Sequence, residues 1–238
     1  MPLEAFKFKQ FSVAHDRCAM KIGTDAVLLG AWAAVDHSPN SILDIGSGSG
    51  ILALMLAQRS VAKLIDAIEI DSEAYEQCVL NFEQSPWGDR LFCYHASLKE
   101  FTEEIEEKYD LIVSNPPFYT DHFDTKDKAR NLARFENALP FDHLIISAKM
   151  LLSDHGRFCV IVPYGEEDIF CALAKENQLF CNKKLRVRGQ KNSEIKRSLM
   201  VFSFEEQSPK IEAIYLEDGR HNYSNAYREM TKEFYLKF

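Results

Sequence analysis

Short apolar runs alternate with amphipathic stretches along most of this chain. "SILDIG" (41–46), "LIDAIEI" (64–70), "LFCYHA" (91–96), "YDLIVSN" (109–115) and "GRFCVIVP" (156–163) are compact and mostly apolar, so they predict five buried strands. Between them, "GILALMLAQR" (50–59), "DSEAYEQCVLNFEQ" (71–84), "SLKEFTEEIEEK" (97–108), "FDHLIISAKMLLSD" (141–154) and "EEDIFCALAKEN" (166–177) predict helices. The Asp71–Ser72 pair is suited to N-cap its helix, and the helix from 141 is expected to stop near Gly156. "KKLRVRG" and "RSLMVFSFE" read as two final strands in an antiparallel hairpin. The β-α-β-α order predicts an α/β fold with a mostly parallel sheet covered by helices on both faces. Residues 115–140 form the one long irregular stretch, and such loops in compact domains are commonly functional.

Composition adds bounds. The chain has 238 residues, 46% hydrophobic and 27% charged, which suits one α/β domain with a sizeable core. No apolar run approaches the roughly 20 residues of a membrane span. The first residues, "MPLEAFKFKQFSVAHDR", lack the apolar centre of a secretory signal. Six scattered cysteines form no C-x-x-C pair, so neither a zinc site nor a disulfide framework is expected, and a reducing cytoplasm is the simplest setting. His15, His95 and His221 follow no metal-ligand spacing and read as structural. The net charge of −8 argues against a broad nucleic-acid surface. Against that background, 183–197 holds seven basic residues and one acid, and Lys126, Lys128, Arg130 and Arg134 form a second basic cluster.

Two stretches carry chemistry. "DIGSGSG" (44–50) joins the first predicted strand to the first helix. In a doubly wound sheet, ligands bind at the carboxyl ends of strands. Gly46, Gly48 and Gly50 remove side chains where the backbone turns sharply and a ligand comes close. The spacing is G-x-G-x-G, and the early Asp44 suits a cationic ligand better than a pyrophosphate. Glu69, 19 residues after Gly50, stands at the end of the next strand, where an acid can accept both ribose hydroxyls. The second stretch is "NPPF" (115–118). Its prolines end the strand and leave carbonyls without their own N–H donors. Asn115 adds an amide and Phe118 a flat apolar face, together a rigid clamp for a flat group bearing an amine.

"DIGSGSG…IEID…NPPF" resembles a class I S-adenosylmethionine-dependent methyltransferase with the N-P-P-aromatic amino-methylating motif. The resemblance implies a Rossmann-like, seven-stranded sheet ending in the antiparallel hairpin. It implies S-adenosyl-L-methionine held at Asp44, Gly46, Gly48, Gly50, Glu69 and Asn115, and an acceptor amine gripped by Asn115, Pro116, Pro117 and Phe118. The family often places an acid after the third strand; here Ala96 and Ser97 stand there, and Ser97 or a backbone group takes that contact.

Three further stretches, "KIGTDAVLLGAW" (21–32), "KARNLARFENALPFDHLI" (128–145) and "HNYSNAYREMTKEFYLKF" (221–238), resemble the bacterial tRNA1(Val) adenine-37 N6-methyltransferase family. This resemblance spans essentially the whole chain. It implies one methyltransferase domain, with 1–40 covering the cofactor through Thr24 and Asp25, and 115–140 as the substrate loop. Thr24 also reads as a helix N-cap ahead of Val27, Leu28 and Ala31. An adenine beside the anticodon would be flipped into the pocket against Phe118. Arg130, Arg134, Lys183, Lys184, Arg186 and Arg188 are the expected RNA contacts. Two rivals are N5-glutamine methylation of a translation protein, disfavoured because only 40 residues precede the first core strand, and a non-catalytic cofactor-binding scaffold, disfavoured because Asn115 and both prolines are intact.

Overall fold

The structure, a computed structural model, describes residues 5–117, 139–220 and 222–237. Strands β1 (Phe6–Lys7) and β2 (Ser12–Val13) form a small hairpin of their own, followed by α1 (Thr24–Trp32). Strand and helix then alternate through β3 (Ser41–Ile45), α2 (Ile51–Arg59), β4 (Leu64–Glu69), α3 (Ser72–Glu83), β5 (Leu91–His95), α4 (Leu98–Glu104) and β6 (Tyr109–Ser114). Next come α5 (Phe141–Leu151), β7 (Leu152–Pro163), a 3-10 turn at Tyr164–Glu166 and α6 (Glu167–Glu176). The chain closes with β8 (Phe180–Gln190), β9 (Ile195–Ser203), β10 (Lys210–Gly219), β11 (Asn222–Tyr223) and α7 (Asn225–Thr231).

The main sheet has the order β11–β10–β8–β9–β7–β6–β3–β4–β5. From β5 to β7 all neighbours are parallel, and β9 runs antiparallel to both β7 and β8. The seven expected strands and the terminal hairpin are therefore present. Two more strands extend the β8 edge, with β10 parallel to β8. No residue of β10 is fully buried, although it contains the short apolar run Ala213-Ile214-Tyr215-Leu216.

Successive strand residues face opposite sides. Ile42, Ile65, Leu111 and Ile161 meet α1, α2 and α3 on one face, through Leu28, Met55 and Phe82 among others. Leu43, Ile45, Ile112 and Phe158 meet α4, α5 and α6 on the other, through Phe101, Leu144 and Phe170. Each such fully buried side chain contributes about 1.5–3 kcal/mol. Two local expectations change. Helix α5 ends at Leu151 rather than 154, because Leu152 pairs with Tyr109 and a register shift follows before Leu111 meets Arg157. The N-cap of α1 is Gly23, in extended conformation, and Thr24 is the first helical residue.

Candidate active site

Strand β3 ends in a loop built around three left-handed glycines, Gly46, Gly48 and Gly50, with φ of 73°, 53° and 76°. That region costs any residue with a Cβ. Among the described residues, a Cβ at Gly46 or Gly48 would meet nothing within 4 Å, so this side of the loop opens onto space. Gly50 faces the opposite way: a Cβ there would lie 2.5 Å from the Phe82 ring and 2.7 Å from the Cys78 sulfur. The loop thus sits hard on α3 and leaves its other side clear. The Gly46 and Ser47 amides both donate to the Ile68 carbonyl at 3.0 Å, tying the loop to β4.

Asp44 is wholly buried beneath this loop. Its Oδ2 accepts from the Ala53 amide at 3.3 Å, and its Oδ1 has no hydrogen-bond partner among the described residues. Burial pushes its pKa up to about 7, opposed by the Ala53 amide and assisted by the charge of Glu69. Glu69 closes the other side. Its Oε2 accepts from the Gly48 amide at 2.7 Å and its Oε1 from the Asp71 amide at 2.9 Å. Each carboxylate oxygen keeps a further lone pair for a ligand hydroxyl.

Strand β6 lies beside β3, and the Ser114 hydroxyl donates to the Ile45 carbonyl at 3.0 Å. This bond fixes the point where Asn115-Pro116-Pro117 leaves the sheet next to the glycine loop. Pro116 is buried and Pro117 exposed. The Asn115 Oδ1 is buried with no hydrogen-bond partner among the described residues. Asp44, the glycines, Glu69 and Asn115 are therefore brought to the same end of three adjacent strands. Phe118, Arg130 and Arg134 lie outside the described residues.

Other predicted residues are occupied. Ser97 caps α4 in a reciprocal box, with its hydroxyl 2.7 Å from Glu100 Oε2 and the Glu100 amide donating to Ser97 Oγ at 3.2 Å. Asp25 Oδ2 accepts from Arg197 Nε at 2.8 Å, which joins the first turn of α1 to β9. The basic run reads differently in three dimensions. Lys184, 8% exposed, donates to Glu167 Oε1 at 2.9 Å, and Arg186 grips the same carboxylate through Nη2 at 2.8 Å and Nε at 3.2 Å. The Ser198 hydroxyl also donates to Glu167. Burial alone would raise the Glu167 pKa, but these donors outweigh it and hold it at about 2. Lys183 faces the opposite side, 5.2 Å over the Trp32 ring and 3.7 Å from Glu212, while Arg188 donates to the Ser193 carbonyl. Of the four residues in this run expected to contact RNA, Lys184 is buried and bound to Glu167.

Sequence reasoning missed Asn81. Its amide nitrogen donates to the Ser49 and Ala14 carbonyls, both at 2.8 Å, and its oxygen accepts from the Ala14 amide at 2.9 Å. It fastens the glycine loop to the segment after β2. The available signal was a polar residue on the buried stripe of Ala74, Gln77, Cys78 and Phe82. Among the described residues no group of three or more His, Cys, Asp or Glu could hold a metal ion, and no helix is long and apolar enough to cross a membrane.

This sheet order, with an open glycine loop between an acid-bearing strand end and an N-P-P strand end, defines a class I methyltransferase. A crystal structure described as a predicted O-methyltransferase from Agrobacterium tumefaciens has the same fold. Its TM-score is 0.66 at 17% identity, covering 88% of this chain and 96% of that one. The family model for the methyltransferase small domain matches residues 20–164. A tRNA1(Val) (adenine(37)-N6)-methyltransferase from Flavobacterium johnsoniae is 58% identical, covering 98% of this chain and 99% of the relative. One of the same name from Christiangramia forsetii is 56% identical over the full length of both. The chain belongs to the methyltransferase small domain family and, within it, to the tRNA1(Val) (adenine(37)-N6)-methyltransferases.

Proposed function

We propose that the protein methylates N6 of adenine 37 in tRNA1(Val), using S-adenosylmethionine as donor. The observation that carries this reading is the Asn115 Oδ1, buried beside the glycine loop with no hydrogen-bond partner among the described residues. A buried acceptor left unpaired costs about 1–3 kcal/mol, so it fits a site where a ligand donor completes it. The 41–58% identity to relatives bearing that activity in their names favours adenine over glutamine as acceptor.

The residues present fit the cofactor. The space at Gly46 and Gly48 admits its methionine part, the free oxygen of Asp44 faces a cationic group, and Glu69 has lone pairs for the ribose hydroxyls. Thr24, Asp25 and the rest of 1–40 cover it, and Ser97 or the backbone beside it borders the adenine. When bound, it supplies a methyl group on a sulfonium.

An exocyclic aromatic amine is a poor nucleophile because its lone pair is delocalised into the ring. Asn115 Oδ1 and the Pro116 carbonyl accept the two amine hydrogens and draw the nitrogen toward tetrahedral geometry, which frees the lone pair. Phe118 stacks on the base within the 115–140 substrate loop, and Arg130 and Arg134 meet RNA phosphates. The nitrogen would exchange one hydrogen for the methyl group, its proton passing to solvent and the donor leaving as the neutral thioether, so catalysis rests on orientation and fixed dipoles rather than on a strong base. A cytoplasmic location follows from a tRNA substrate. Incubation with labelled cofactor and separate tRNA and protein acceptors, followed by mass spectrometry, tests the reading. Label on N6 of adenine 37 is the expected result; label on a glutamine, or none, overturns it.

A further inference from the structure

Strand β7 outruns β6. Ser114 pairs with Val160, and β7 then continues to Pro163 before the 3-10 turn begins at Tyr164. Tyr164 therefore follows the strand next to β6, four residues beyond the partner of Ser114, at the same end of the sheet that Asn115-Pro116-Pro117 leaves. The residue is 37% exposed. The guanidinium of Arg186 lies over that ring, 5.3 Å from its centroid.

Arg186 is not a loose surface arginine. Two of its nitrogens bind the buried carboxylate of Glu167, which Lys184 and Ser198 also hold. This clamp fixes the guanidinium plane while leaving the side chain 27% exposed. Glu167 is shared between Lys184 and Arg186, and Asp168 also acts on Arg186, so what the cluster presents is a fixed guanidinium plane rather than a surplus of charge. Buried ion clusters are weak contributors to stability, so fold stability alone does not account for this one. An aromatic ring and a fixed guanidinium plane are the two surfaces on which unstacked RNA bases are received.

We propose that the Tyr164–Arg186 stack is the platform for an unpaired RNA base next to the adenine that enters the pocket. This rests on the RNA-methylation reading above. It places the RNA interface on the rim of β7 and β8, with Lys184 as a support beneath it.

The test uses a synthetic anticodon stem-loop of tRNA1(Val) carrying 2-aminopurine, whose emission is quenched by stacking. The label is placed 5′ of the target adenine in one RNA and 3′ of it in another. With wild-type protein, one of the two labels is expected to be quenched. Tyr164→Ala should lose that quenching and lower kcat/KM for unlabelled RNA on the order of 10-fold, with cofactor affinity unchanged. Tyr164→Phe keeps the ring and should behave as wild type. Arg186→Lys keeps the charge but not the plane, and should fall between the two. The platform is overturned if Tyr164→Ala matches wild type in quenching and kcat/KM, or if Tyr164→Phe is as impaired as Tyr164→Ala. Titration reads docking without turnover. A wild type that quenches the label yet methylates nothing would therefore sink the activity and leave the platform standing.

Discussion

An acceptor oxygen buried without a partner and an acid buried without a counter-charge are costly residues to keep. Among the described residues, Asn115 and Asp44 both have such an oxygen, at the ends of adjacent strands. For Asn115→Ala, methylation should fall about 100-fold or more with a much smaller change in cofactor affinity, because the Oδ1 is assigned to the acceptor amine even though Asn115 also borders the cofactor. Single-turnover assays beside calorimetry separate the two; near wild-type turnover would end the clamp mechanism. Glu69→Ala should do the reverse. It removes the partner of the ribose hydroxyls and also releases the Gly48 amide. Charged hydrogen bonds contribute roughly 1.5–3 kcal/mol, so the cofactor dissociation constant should rise about 10- to 100-fold by calorimetry.

Asp44 adds a pH dependence. Its folded pKa, about 7, lies above that of an unfolded aspartate, so the folded state holds a proton that the unfolded state releases. The stability from this group is full below about pH 4 and is lost as pH rises through about 7. Asp44→Asn should therefore raise the Tm of the cofactor-free protein at pH 8 by several degrees, at about 2–4 °C per kcal/mol. The gain should shrink toward pH 4. The same variant should bind cofactor more weakly, having lost its charge toward a cationic ligand. Thermal shifts across pH, with and without cofactor, would show the opposed signs; a variant destabilised at pH 8 would contradict this account.

At the scale of elements, β3, β4, β6 and β7 were legible because both faces of each strand are covered, leaving runs of apolar residues. Strand β10 was not: at this edge it pairs with β8 and sets only Ile214 and Leu216 against the core, too short a signal in "KIEAIYLEDG" to be read as a strand. The strand-end residues Asp44, Glu69 and Asn115 could be read because local turn chemistry positions them. Asn81 could not, since its bonds reach Ala14, 67 residues away. The partners of the basic run are also distant in sequence. In "KKLRVRG", alternation sends Lys184 and Arg186 to Glu167 and Lys183 to Trp32 and Glu212, partners that local sequence does not name. Lys184→Ala should thus act mainly on stability. Breaking a buried pair costs about 3–5 kcal/mol, lessened here because Arg186 and Ser198 remain on Glu167. Denaturant melts should show the loss, with the salt slope of tRNA binding unchanged; a slope flattened by about one unit would make Lys184 a phosphate contact.

The two ends of the chain close on each other over the first sheet face. The Lys9 amide donates to the Phe234 carbonyl at 2.8 Å, Phe8 stacks on Tyr235 at 5.9 Å, and the Tyr227 and Tyr235 hydroxyls lie 3.2 Å apart. Phe8 also stacks on Phe11, which meets Trp87 edge-on, and the segment after β2 is held to the glycine loop through Asn81. A continuous packed path therefore runs from the helix α7 end of the chain to the loop beneath the proposed cofactor. Phe234 is almost fully buried at the start of that path. Truncating such a phenylalanine to alanine typically costs about 3–5 kcal/mol. The central parallel strands are packed by other residues, so the loss should be felt first at the ends. Phe234→Ala is expected to speed amide exchange across residues 6–14 and at Ser49 and Gly50, leave β3 and β6 protected, and weaken cofactor binding several-fold from a distance. Hydrogen exchange resolved by residue checks this directly. Uniformly faster exchange over the whole sheet would mean that the termini fold as one cooperative unit with the core, and that they do not serve as a separate brace for the glycine loop.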